Sequence, residues 1–189
     1  MADERSPEEA DLESREPTVE DLRDLCRALN ERGARYIVIG GFAIRAAGYS
    51  RRTMGVDLVV AGDRDNEARV FDALATLPDH AARDLQPGEL QQYTVVRVAD
   101  EIVVDPMARA GGIEYSEAAA EIAVREVGGV PIPFASPRLL WRMKTHGPRE
   151  GRRRPGLSSP LVSARAARHR SERPECQWPG ISMRGVVFA

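Results

Sequence analysis

The sequence predicts a mixed α/β (α+β) fold, a short mixed β-sheet flanked by helices. Three observations point there. Short apolar runs such as Ile37 to Ile39 and Val56 to Val60 have the length and β-branching of buried strands. Leu22, Leu25, Cys26 and Leu29 recur at helical spacing just ahead of the first run. Helical and strand patterns then interleave along the chain, as in a sheet with helices packed on it.

The elements follow in order. Thr18 opens TVEDLRDLCRALNERG, with Asp21 three residues on as a loose capping box and Gly33 as the stop. Tyr36 to Ile39 is a strand broken by Gly40 and Gly41, and FAIRAAG continues as a short helix ending at Gly48. Val56 to Ala61 is a second buried strand. Asn66 to Leu77 has helical spacing through Val70, Phe71 and Leu74. Residues 78 to 91, with Pro78, Pro87 and Gly88, read as a loop. Tyr93 to Val98 and Glu101 to Asp105 read as strands joined by a turn at Ala99 and Asp100. Residues 113 to 120 read as a short helix. Ile122 to Val127 and Val130 to Phe134 form a hairpin about Gly128-Gly129. Ser136 and Pro137 are an N-cap and first-turn proline, and Leu139, Leu140 and Met143 supply that helix's apolar face.

Composition sets the bounds. With 189 residues the chain suits one domain with tails. A net charge of -2 gives no overall attraction to nucleic acid or membrane. The charge is uneven, however: residues 1 to 16 are acidic and unpatterned, and we read them as a disordered tail. The domain spans 17 to 146. From 147 to 189 the chain is basic and rich in Pro and Arg, as in PREGRRRP, and we expect little stable structure there. Two explanations stand for this abrupt switch: a reading-frame change near residue 147, or a natural basic tail. Cys26 and Cys176 are too far apart to suggest a disulfide framework or metal knot, which fits a reducing, cytoplasmic setting. No apolar run approaches the roughly 20 residues of a membrane span, so no membrane partner is expected.

The chemistry concentrates in residues 37 to 60, IVIGGFAIRAAGYSRRTMGVDLVV. Glycines between a strand and a helix let backbone N–H groups approach a phosphate; they also simply allow a tight turn. Asp57 opens the second strand and Asp105 closes IVVD. On neighbouring strands the two carboxylates would share one crevice beside the glycines, and carboxylate oxygens suit Mg²⁺. Each Asp could equally cap a strand end, and Pro106 makes that credible for Asp105.

Together these residues resemble the signature of the DNA-polymerase-β-type nucleotidyltransferases. More narrowly, they resemble the small bacterial branch related to the toxins of toxin–antitoxin pairs. Gly40 and Gly41 match the glycines, Arg52 and Thr53 the basic-Thr lead-in, Asp57 the second acid and Asp105 the third. ASPRLLWRMK at 135 to 144 is similar to the branch's Ser-Pro helix ending in Lys. The resemblance covers residues 18 to 146. It implies transfer of a nucleoside monophosphate from an NTP to a hydroxyl, with Mg²⁺ or Mn²⁺ held by Asp57 and Asp105. Gly40, Gly41, Arg52, Thr53 and Lys144 would bind the nucleotide, although Lys144 reads as well as a solvated helix-end lysine. A tRNA 3′ end, a protein hydroxyl and a small molecule all fit as the acceptor, and an antitoxin protein would be a partner.

One position departs from the pattern. Gly55 stands where the first metal-binding acid should be. Losing a carboxylate from such a site removes several kcal/mol of transition-state charge stabilisation. Asp63 and Asp65 lie past the far end of the strand and are poorly placed to substitute. The expectation is impaired catalysis, or a non-catalytic relative that binds a nucleotide or a partner.

Overall fold

The computed structural model describes residues 14–93 and 95–146. Helix α1 (Val19–Glu31) begins at the full capping box of Thr18 and Asp21 and buries Leu22, Leu25, Cys26 and Leu29. Strand β1 (Tyr36–Val38) is wholly buried and runs into α2 (Gly40–Ala46), which begins at the glycine pair itself. β2 (Val56–Val60) and α3 (Arg64–Leu74) follow, then a single turn α4 (Glu89–Gln92) inside the expected loop. β3 (Val98–Ala99) and β4 (Val103–Met107) form the next hairpin.

Here the structure corrects the sequence reading. The strand expected from Tyr93 shrinks to two residues. In the antiparallel register Val98 faces Val104, so Val96 faces Pro106. Val96 N donates to Pro106 O at 3.1 Å, but proline has no N–H to return, and regular pairing stops. A second correction concerns residues 109–114. Instead of a helix from 113, β5 (Arg109–Ala110) and β6 (Ile113–Glu114) form a small hairpin about Gly111 and Gly112. Only then come α5 (Tyr115–Ala118) and a 3-10 turn, Ala119–Glu121. β7 (Ile122–Val127), β8 (Val130–Ala135) and α6 (Pro137–His146) close the described chain as expected. Ser136 Oγ accepts from Leu139 N at 3.1 Å, which is the N-cap that the sequence indicates.

The six-stranded sheet has the order β3-β4-β2-β1-β8-β7. It is mixed: β2 with β4 and β1 with β8 are parallel, and the other pairs are antiparallel. α1 and α3 lie side by side, α1 against β8 and α3 against β2. One contiguous core joins the sheet to Val70, Phe71 and Leu74 of α3 and to Leu139, Leu140 and Met143 of α6.

Two buried polar side chains tie loops to this core. Asp100 accepts from the backbone N–H groups of Asp79, Ala81 and Glu101, anchoring the 78–91 loop at the β3–β4 turn. Asn66 is fully buried. Its Oδ1 accepts from Arg35 N at 2.7 Å, and its Nδ2 donates to Arg35 O and Ala61 O at 3.1 and 2.9 Å. The amide thereby replaces water for the chain ends that flank β1 and β2. Asn66→Ala strips three partners at once and is expected to cost about 2–4 kcal/mol in urea unfolding. Asn66→Asp keeps the acceptor but loses the donor, and should also be destabilised.

Ser14 to Glu16, placed with the tail by sequence, are joined to the domain. Arg15 N donates to Glu101 O at 2.9 Å and Ser14 Oγ to Asp100 O at 2.6 Å. The rest of the two expected tails, 1–13 and 147–189, lies outside the described residues, and with it the reading-frame expectation. Among the described residues no helix is long and apolar enough to cross a membrane.

Candidate functional site

The site starts from strand register. β2 and β4 are parallel neighbours, and Asp57 pairs directly with Asp105. Side chains alternate along strands, so two residues in register project to the same face. Asp57 and Asp105 therefore share one face, and residue 55, two positions before Asp57, precedes β2 on that same alternation. Their side chains therefore start from directly paired positions on one face of the sheet.

The glycine pair lies against β2 and its lead-in. Gly40 has φ +62, in the left-handed region, and the Asp57 carboxylate lies against its Cα. A Cβ on Gly40 would overlap Asp57 Oδ2 and sit 2.8 Å from its Cγ. Gly41 does the same for Thr53: a Cβ there would come within 2.6 Å of Thr53 Oγ1. Both glycines are thus required for close approach of the β2 lead-in to the start of α2. Thr53 is buried, and its Oγ1 donates to Gly55 O at 2.7 Å, fixing the turn into β2.

Gly55 differs from these two. Its φ is not in the left-handed region, and a Cβ would lie 3.1 Å from Val103 O and 3.4 Å from the Val103 side chain. Small local shifts would admit a side chain. The nearest of these atoms is a strand carbonyl, so a side chain here requires the β4 backbone at Val103 to give by a few tenths of an ångström.

Sequence reasoning missed one member of the site, Arg97. Continuing the β3–β4 register from Val98 opposite Val104 puts Arg97 opposite Asp105. Its Nε and Nη2 donate to Asp105 Oδ1 and Oδ2, both at 2.9 Å, in a planar fork. The Asp105 side chain is only 10% exposed. The Arg97 guanidinium is pushed above its ordinary value, chiefly by the hydrogen bonds to Asp105 and in smaller part by the charge of Asp57. The signal was present as a lone Arg in YTVVRVAD, but its meaning depends on which strand lies opposite.

The remaining expected residues lie outside the paired strands β2 and β4. Arg52 is 84% exposed along its side chain and pairs with Glu16 at 2.7 Å. Lys144 stands exposed on the last turn of α6, a helix that packs on β8, which is separated from β2 by β1. Asp63 caps α3 through Asn66 N and pairs with Arg35, so it serves the helix start.

These residues do not fit a resident Mg²⁺ or Mn²⁺ site. Among the described residues no group of three or more His, Cys, Asp or Glu could hold a metal ion. Position 55 supplies no oxygen from a side chain, and both oxygens of Asp105 already accept from Arg97. A hard dication seeks about six oxygen ligands without a fixed cation beside it.

No family model matches the sequence, and neither does any curated protein. In structure the chain is similar to the crystal structure of a "putative nucleotidyltransferase" from Thermotoga maritima, with a TM-score of 0.49 and 12% identity, covering 67% of this chain and 82% of that one.

Proposed function

We propose that this chain is a nucleotidyltransferase-like protein of the DNA-polymerase-β type in which transfer is impaired. The observation that carries the reading is the register of Asp57 with Asp105 on adjacent parallel strands, closed by the Gly40 turn, with Gly55 on the same alternation. The resemblance in residues 37 to 60 supplies the chemistry. An acceptor hydroxyl oxygen bonds to the α-phosphorus of an NTP, the bond to the β-phosphate oxygen breaks, and pyrophosphate leaves. The hydroxyl proton needs a base. Asp105 is the family-type candidate, but its oxygens are turned to Arg97 rather than offered to a substrate. Within this reading the acceptor is a hydroxyl of an RNA, a protein or a small molecule, and an antitoxin protein is the partner that the narrower resemblance implies.

The same fork favours a second reading, a non-catalytic relative that binds a nucleotide or a partner protein. One assay separates the two. The full chain is incubated with each α-labelled NTP, Mg²⁺ or Mn²⁺, and RNA or protein acceptors, alongside Gly55→Asp/Arg97→Met. Wild type is expected at least about 10²-fold below the double variant, the scale of losing one preorganised electrostatic group. Full-rate transfer by wild type sinks the impairment. Background label from both proteins, with NTP retained in equilibrium dialysis, establishes the non-catalytic reading.

A further inference from the structure

We propose that Ser14–Glu16 forms an autoinhibitory strap, in which Glu16 occupies the Arg52 guanidinium that a nucleoside triphosphate would otherwise engage through its phosphates. The inference deepens the reading above and rests on it for the role of Arg52 alone.

The strap is tied to the domain at each residue. Ser14 Oγ donates to Asp100 O at 2.6 Å. Arg15 makes a parallel bridge with Ile102. Its guanidinium donates to both oxygens of Asp21 at 2.6 and 2.8 Å and to Glu101 Oε1 at 3.0 Å. Pro17, next after the strap, is buried ahead of α1. These contacts hold the segment at the β3–β4 turn, just before β4 begins at Val103. β2 begins alongside: Val56 pairs with Val104, and a Cβ on Gly55 would lie 3.1 Å from Val103 O. From this edge Glu16 reaches the lead-in to β2, where its Oε2 accepts from Arg52 Nη2 at 2.7 Å. Arg52 directly precedes Thr53, which lies against Gly41. The carboxylate thus meets the guanidinium at the end of the sheet that carries the glycine turn.

The fold does not depend on this last pair. Arg52 is 84% exposed, and exposed ion pairs contribute little to stability. What the pair does is occupy a donor and offset its charge. A guanidinium takes carboxylate and phosphate with the same fork of N–H groups. Glu16 is held in place by the contacts of its neighbours, so it competes without the ordering cost that a free anion meets. A phosphate must displace it to engage Arg52. Because Glu16 meets the guanidinium through one oxygen, the strap weakens phosphate binding rather than abolishing it.

The test measures binding of inorganic tripolyphosphate and of ATP to the full chain by isothermal titration calorimetry at low salt. Glu16→Gln is expected to bind tripolyphosphate about two- to fivefold more tightly than wild type, the scale of an exposed ion pair. The gain should shrink at high salt, as a screened surface contact requires. ATP should show the same dependence on Glu16. Arg52→Gln should bind more weakly than wild type, and adding Glu16→Gln to it should restore nothing. Glu16→Gln should leave Tm unchanged, whereas a pair that serves only the fold would lower Tm and leave affinity alone. Equal affinity of wild type and Glu16→Gln for tripolyphosphate or for ATP overturns the inference. So does a gain that survives in Arg52→Gln/Glu16→Gln, or the absence of binding by Glu16→Gln. NMP transfer is scored separately: none from Gly55→Asp/Arg97→Met sinks the transferase reading, and the strap then stands or falls on the binding result.

Discussion

Gly40→Ala is expected to destabilise the protein by about 2–4 kcal/mol, measured by urea unfolding. Two causes add. An alanine at φ +62 sits in the left-handed region, which costs roughly 1–2 kcal/mol. The new Cβ then overlaps Asp57 Oδ2 and lies 2.8 and 3.1 Å from Asp57 Cγ and Cβ, so the carboxylate has to swing away. The second cause can be separated from the first. Gly40→Ala/Asp57→Ala should recover the steric share and leave the backbone share. Gly48→Ala is the control: φ is +95 with nothing within 4 Å, so only the backbone cost of about 1 kcal/mol applies. If Gly40→Ala costs no more than Gly48→Ala, the close approach of Asp57 to the glycine turn is wrong, and the candidate site loses one wall.

Gly111→Ala should be more damaging still, by about 3–5 kcal/mol. At φ +57 the residue is again left-handed, but here the neighbour is backbone. A Cβ would overlap Met143 O and lie 2.6 Å from Met143 C and 2.8 Å from Met143 Cα. A side chain can rotate away; a helical carbonyl cannot. Relief requires α6 and the β5–β6 hairpin to separate, which uncovers Met143 and its neighbours in the core. Gly112→Ala, at φ +82 with open space, should cost about 1 kcal/mol. Trp141 on the same helix is half exposed and reports the displacement by its fluorescence. Equal costs for Gly111→Ala and Gly112→Ala would show that α6 does not press on the hairpin.

These glycines also show where sequence reading succeeded and where it stopped. Gly128-Gly129 between two apolar runs was legible as a hairpin, and its φ values of 56 and 80 are those of a turn left-handed at both residues. Gly111-Gly112 carries the same signal with φ 57 and 82, yet was passed over. Its flanking strands are two residues each, too short to show alternation. The strand expected from Tyr93 failed for another reason. Its propensity was real, but the partner position opposite Val96 is Pro106, and a strand needs donors on both sides.

The candidate site divides in the same way. Gly40, Gly41, Asp57 and Asp105 were nameable from local pattern, because each is an unusual residue at the end of an apolar run. The capping of α1 by Thr18 and of α6 by Ser136 was nameable too, since both bonds span three residues. Such features are local in the chain, and local chemistry is what a sequence displays. Arg97, Thr53 against Gly41, and Gly111 under Met143 are contacts between segments far apart in sequence or separated by a turn of unknown register. By itself the sequence determined the longer helices, most of the longer strands, the glycine turn and the absence of an acid at Gly55. Only the tertiary structure decided that β2 lies beside β4 in register, so that the two aspartates hold directly paired positions, and that β3 lies on β4's other side, so that a guanidinium pairs with Asp105. Strand order and register arise from packing summed over the whole sheet, and shifting one strand by a single residue would turn Asp57, Asp105 or Arg97 to the opposite face.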